Sequence, residues 1–154
     1  MATNNLQATL TPEIRLTDEL ATVFRLTGAC LDPVPGQNGT WYVFWEDGIT
    51  EPEQWDDFDP EDWPVADKWA GKNLPDILRE TLAGNPDTKL LTIEGAWTCS
   101  RMRAGEFGGF GLYVTRQQFV SISSSDVTLG SDGQLTLTTP AIQDFTLGSG
   151  EQED

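Results

Sequence analysis

From Glu46 to Asp67 the chain carries ten carboxylates and not one Lys or Arg, and this run constrains the fold more than any other stretch. Pro52, Pro60 and Pro64 interrupt it. Each removes a backbone donor, and neighbouring Asp and Glu side chains repel one another, so no long helix can pass through. An irregular, extended segment is predicted. Aromatic side chains supply its attachment to the rest of the molecule: Trp41, Trp45, Trp55, Trp63 and Trp69, five of the six tryptophans, lie in or beside it, together with Phe58.

The flanking stretches read as α+β. Residues 1–11 are polar and are expected to be a flexible N-terminus. Thr11-Pro12-Glu13 has the chemistry of a helix start, Thr as cap and Pro in the first turn, and predicts a short helix ending near Leu20. The β-formers over 22–31 predict a strand. It pairs with a second strand over 41–46 across the turn-rich loop Asp32-Pro33-Val34-Pro35-Gly36-Gln37-Asn38-Gly39. Over 73–83 the spacing of Leu74, Ile77, Leu78 and Leu82 defines a helix, with Pro75 and Asp76 in its first turn and Gly84 and Pro86 beyond its end. Strands are predicted at 89–94, 110–115 and 119–123, then a hairpin at 126–129 and 134–138 around Gly130-Ser131-Asp132-Gly133. The glycines at 108–111 read as a tight turn between strands. The expectation is a single α+β domain over residues 12–147, a mainly antiparallel sheet with one packed helix (about residues 74–83), followed by a disordered acidic tail over 148–154.

Charge and composition exclude several functions. With 25 acids against 9 bases the net charge is −16, a field that repels nucleic acid and anionic membranes and draws in basic partners. Direct nucleic-acid binding is disfavoured, because neutralising phosphates takes clustered Lys and Arg. No apolar run has the length of a membrane span. The N-terminal Met-Ala-Thr-Asn-Asn-Leu-Gln has neither the basic nor the apolar part of a signal peptide, so a cytoplasmic protein is expected. Cys30 and Cys99 are too few for a disulfide scaffold; as a pair they could form a single bridge, but two free buried thiols is the better reading. The chain has no histidine, which removes the commonest general base, the commonest metal ligand and every Ser-His or Cys-His nucleophile.

The acidic run is the candidate site. In an extended chain, carboxylates at alternate positions stand about 7 Å apart, the same order as phosphates along one DNA strand. Such an array can occupy an Arg/Lys-lined groove, and tryptophans within it are the residues that anchor interfaces. The predicted partner-binding set is therefore Glu46, Asp47, Glu51, Glu53, Trp55, Asp56, Asp57, Phe58, Asp59, Glu61, Asp62 and Trp63, facing a basic protein surface such as that of a nuclease or another nucleic-acid-binding effector. The competing reading is a solvated loop with surplus charge. Asp57, Asp59 and Glu61 alternate like a calcium loop, but Asp62 stands where that loop needs Gly and Lys68 where it needs Glu, so no metal or other cofactor is expected. Glu94 and Glu106 with Trp97 as a sugar platform make a weaker, hydrolase reading. Arg101 and Arg103 form the one dense basic spot.

In size, charge and aromatic content the chain is similar to the small acidic inhibitors carried by phages and mobile elements. Among these are nucleic-acid mimics that block restriction or CRISPR effectors, and immunity proteins that neutralise toxic nucleases. The resemblance implies a non-enzymatic protein that occludes a basic partner. A structural or assembly module of a phage or mobile element is the alternative.

Overall fold

The computed structural model describes residues 4–52, 55, 62–99 and 108–145, and its sheet is built outward from the polar stretch near the N-terminus. That stretch is strand β1 (Asn4–Thr11). Leu6, Ala8 and Leu10 alternate with Gln7, Thr9 and Thr11, so one face of the strand is apolar and the other polar. It pairs antiparallel with β5 (Leu91–Cys99) on one side, from Asn4↔Cys99 to Thr11↔Thr92, and with β4 (Thr40–Trp45) on the other. The remaining strands are β2 (Ile14–Arg15), β3 (Cys30–Pro33), β6 (Gly108–Val114), β7 (Gln118–Ser123) and β10 (Gln143–Asp144). The eight-stranded sheet runs β10-β7-β6-β5-β1-β4-β2, with β3 also paired to β4. Every pairing within it is antiparallel. A separate two-stranded hairpin holds β8 (Val127–Leu129) and β9 (Leu135–Leu137).

Among the described residues three helices accompany the sheet: α1 (Asp18–Leu26), α2 (Trp63–Trp69) and α3 (Leu74–Ala83). Their apolar residues Leu20, Val23, Phe24, Trp69, Leu74, Ile77, Leu78 and Leu82 share one core with Ala8, Leu10, Val43, Trp45, Leu91, Ile93, Leu112 and Val114 of the sheet. Those sheet residues are partners in register, Leu10 with Ile93, Ile93 with Leu112, Leu91 with Val114 and Ala8 with Trp45, and so point to one face. The helices cover that face. The result is an α+β fold dominated by antiparallel sheet, as the sequence pattern indicates, with three helices among the described residues where one packed helix and a short one ending near Leu20 were expected.

Two polar devices fix this packing. Trp45 is buried to 1% exposure and donates its ring N–H to Thr27 Oγ1 at 3.1 Å, while the Thr27 hydroxyl donates to the Phe24 carbonyl. Asn73 caps α3, accepting from the Asp76 amide while Asp76 accepts from the Asn73 amide, a reciprocal capping box.

The departures from expectation have physical causes. Residues 4–11 form an interior strand rather than a flexible N-terminus, because partners distant in sequence flank them on both sides. Thr11-Pro12-Glu13 starts no helix. Helix α1 begins instead after Thr17, whose Oγ1 accepts from the Leu20 amide, and Asp18 and Glu19 occupy its first turn. Much of the stretch predicted as a strand over 22–31 is therefore helix: Leu20, Val23, Phe24 and Thr27 follow helical spacing, and only Cys30–Pro33 is extended. It does pair with β4 as expected. Gly108, Gly109 and Gly111 lie within β6 rather than in a turn. The tail over 148–154 lies outside the described residues.

Candidate partner-binding interface

The two ends of the acidic run are built into the fold. After β4 the Gly48 amide donates to the Leu6 carbonyl at 2.8 Å, and the Thr50 amide to the Thr27 carbonyl at 2.8 Å. Glu51 Oε1 then accepts from the Leu74 amide at 2.9 Å, placing a carboxylate on the open N–H groups at the start of α3. Pro52 is buried, and Ile49 and Trp55 pack against the core. At the far end the chain enters α2, whose Trp69 is buried at 2% exposure and donates its ring N–H to Glu19 Oε2 at 3.0 Å. Lys68 reaches the same oxygen at 2.7 Å. Residues 63–69 are thus helical where an extended chain was predicted, since Pro64 falls in the first turn, the one place a helix accepts proline.

This placement divides the predicted binding residues. Glu46 and Asp47 are exposed at the end of β4, and Trp63 is 60% exposed at the start of α2, with Asp62 half-buried just before it. Glu51 and Trp55 face inward and serve the fold. Glu53, Asp56, Asp57, Phe58, Asp59 and Glu61 lie outside the described residues, as do Arg101, Arg103 and Glu106. Among the described residues no group of three or more His, Cys, Asp or Glu is placed to hold a metal ion.

Several bases of the described residues are engaged within the fold. Lys68 is paired with Glu19, and Lys72 lies 5.4 Å from the centre of the Trp69 ring. Arg79 stacks on Phe145 at 4.7 Å, and Arg116 donates to the carbonyls of Leu82, Asn85 and Thr88. Glu19 is held below the usual carboxylate range by its hydrogen bonds from Lys68 and Trp69, which outweigh its desolvation.

Glu46 also belongs to a second surface, the sheet face that the helices leave open. Register carries one row of residues straight across it: Cys30, Phe44, Thr9, Glu94, Gly111 and Ile122, one from each of β3, β4, β1, β5, β6 and β7. Tyr113, two residues from Gly111, lays its ring back over that glycine and donates to Glu94 Oε2 at 3.3 Å. A Cβ on Gly111 would stand 2.7 Å from the Tyr113 ring, so glycine is what lets the ring lie flat there. Gln7, Thr9, Phe44, Glu46 and Glu94 line a shallow hollow of about 350 Å³ on this face. Tyr42 and Ile122 are exposed at 46% and 42%. None of β1, β4, β5, β6 or β7 contains a Lys or Arg.

Chemically, the open face offers apolar and aromatic side chains around fixed carboxylates. Cys30 adds no nucleophile: it is half-buried and free, and desolvation, then the charge and hydrogen bond of Glu46, push its thiol pKa up. Glu94 and Trp97 point to opposite faces, since Trp97 stacks on Phe110 at 6.4 Å on the helix side. Trp97 is therefore no platform for a sugar at Glu94. The residues of this face were legible as alternation, because Tyr42 and Phe44 have the opposite parity to Trp41, Val43 and Trp45. What the sequence withheld was that none of the helices of the described residues covers that parity. No protein-family model, curated protein or solved structure matches the chain.

Proposed function

We propose that this is a non-enzymatic cytoplasmic protein that binds and occludes a basic partner, with the acidic run and the adjoining open sheet face as its interface. The observation that carries the reading is Glu94 at the middle of the open sheet face, held by Tyr113 and with no Lys or Arg in the strands around it, together with exposed Glu46 and Asp47, which begin a stretch of sequence in which ten carboxylates stand without one interspersed base. Long-range attraction brings a basic surface in quickly, and aromatic side chains then hold it at short range. A nuclease or other nucleic-acid-handling effector fits best, since its groove is already lined to receive a polyanion spaced like phosphates.

A tagged pull-down from host lysate at low salt, eluted with a salt gradient, tests the reading. One basic protein retained to moderate salt supports it. A scatter of basic proteins, all released at low ionic strength, would mean plain ion exchange and overturn it. A second reading, an assembly module, draws on a different feature: the exposed aliphatic hairpin of β8 and β9.

A further inference from the structure

The β8–β9 hairpin exposes more apolar surface than a free hairpin can keep in water. Val127 pairs with Leu137 and Leu129 with Leu135, so all four aliphatic side chains point to the same side. They are 53%, 68%, 69% and 76% exposed respectively for Val127, Leu137, Leu129 and Leu135. None of the four belongs to the core cluster. A two-stranded hairpin is marginal on its own. This one is closed by Thr138 donating to the Asp126 carbonyl at 2.7 Å, with a turn in which Gly133 has φ 82°. It is therefore held in shape while its apolar side stays bare.

We propose that this side is the contact between two copies of the chain, packed face to face about a two-fold axis. Charge selects the occupant. A copy carrying a net charge of −16 repels its twin over most of its surface. Residues 127–137 hold a single charge, Asp132, and it sits in the turn away from the aliphatic pairs. The hairpin is thus a place where two such chains can meet without opposing carboxylates. The basic partner proposed above finds no acid on the aliphatic side to pair with. The two in-register pairs also make a patch that complements itself on rotation, the requirement for a closed two-fold contact. The area suits a weak contact: the four side chains expose on the order of 450 Å² per copy, so a pair that covers them buries on the order of 900 Å², the size of a transient interface.

Salt separates this contact from the partner-binding interface. Screening weakens the attraction to a basic partner but relieves the repulsion between two acidic copies, so added salt tightens the dimer. The test is sedimentation velocity of the full chain from about 1 to 100 µM at low and at high salt, with Leu129→Lys and Leu135→Lys as independent variants. The expected result is a monomer–dimer equilibrium whose dissociation constant falls as salt rises, and at least a tenfold weaker dimer in each variant. The variants should keep the wild-type near-ultraviolet circular dichroism, because the substituted residues lie outside the core. A wild-type monomer at all concentrations and both salts overturns the proposal and gives the face to another chain. A dimer unchanged in both variants, or open-ended assembly, overturns it as well.

Discussion

Tyr113 donates its phenol hydrogen to Glu94 Oε2 at 3.3 Å across the bare backbone of Gly111, and this contact organises the centre of the open sheet face. Desolvation is the larger cause, and the Glu94 charge and hydrogen bond add to it, raising the Tyr113 pKa above its ordinary value of 10.0. Glu94→Gln removes the charge and lowers that pKa. Gly111→Ala drives the ring off its seat and does the same by breaking the contact. Absorbance at 295 nm against pH, with Tyr113→Phe subtracted to isolate the one phenol, checks both. The folded state holds the proton more tightly than the unfolded chain. The contribution is therefore complete below the unfolded pKa and is lost as pH rises through the folded one.

Glu51 is acidic-run sequence put to structural use. Glu51→Ala removes the acceptor of the Leu74 amide and the negative charge at the start of α3. The expected cost is about 1 kcal/mol of stability, the size of a lost helix cap, with Glu51→Gln costing less. Urea unfolding at neutral pH measures both. The partner captured by the wild type should still bind to Glu51→Gln.

Thr27→Val keeps the shape of the residue and removes the acceptor of the Trp45 ring N–H, leaving that donor orphaned in the core. A loss of about 2 kcal/mol is expected, as for a buried polar group left unpaired. Thr27→Ser, which keeps the hydroxyl, should cost less than half as much. Chemical denaturation of the two variants side by side provides the comparison.

Helix α2 docks on α1 through Glu19, and its depressed pKa gives that docking a pH dependence. The contribution is present above the unfolded pKa, ordinarily 4.5, and is lost as pH falls through the lowered folded value. The ion pair is largely exposed, so Glu19→Gln should cost under about 1 kcal/mol at pH 7. The difference between wild type and variant should vanish at low pH, as read from urea midpoints across the acid range.

The parts of the fold legible in the sequence are those whose signals are local. Helix α3 carries its own cap at Asn73, its own proline at the first turn and a complete apolar stripe. The β8–β9 hairpin carries its own turn. Strand β1 was not legible, although Leu6, Ala8 and Leu10 alternate cleanly, because its stability comes from pairing with β4 and β5, distant in sequence, the nearest paired residues being Thr9 and Phe44. Helix α1 was hidden by rivalry between two cap sequences, Thr11-Pro12-Glu13 and Thr17-Asp18-Glu19, of which the second stands at the right distance from Leu20, Val23 and Phe24. In the candidate site, charge was legible and direction was not. Nothing local distinguishes Glu46, which faces outward, from Glu51, which is turned onto α3.

The central claim is that the open face and the acidic run form one interface for a basic partner. Its most direct test is the salt dependence of binding to the captured protein, comparing the wild type with Glu46→Gln/Glu94→Gln and with Asp56→Asn/Asp57→Asn/Asp59→Asn/Asp62→Asn. Both variants should bind at least tenfold more weakly at low salt and show a flatter fall of affinity with salt. Affinity and salt slope equal to those of the wild type in either variant would contradict the single interface.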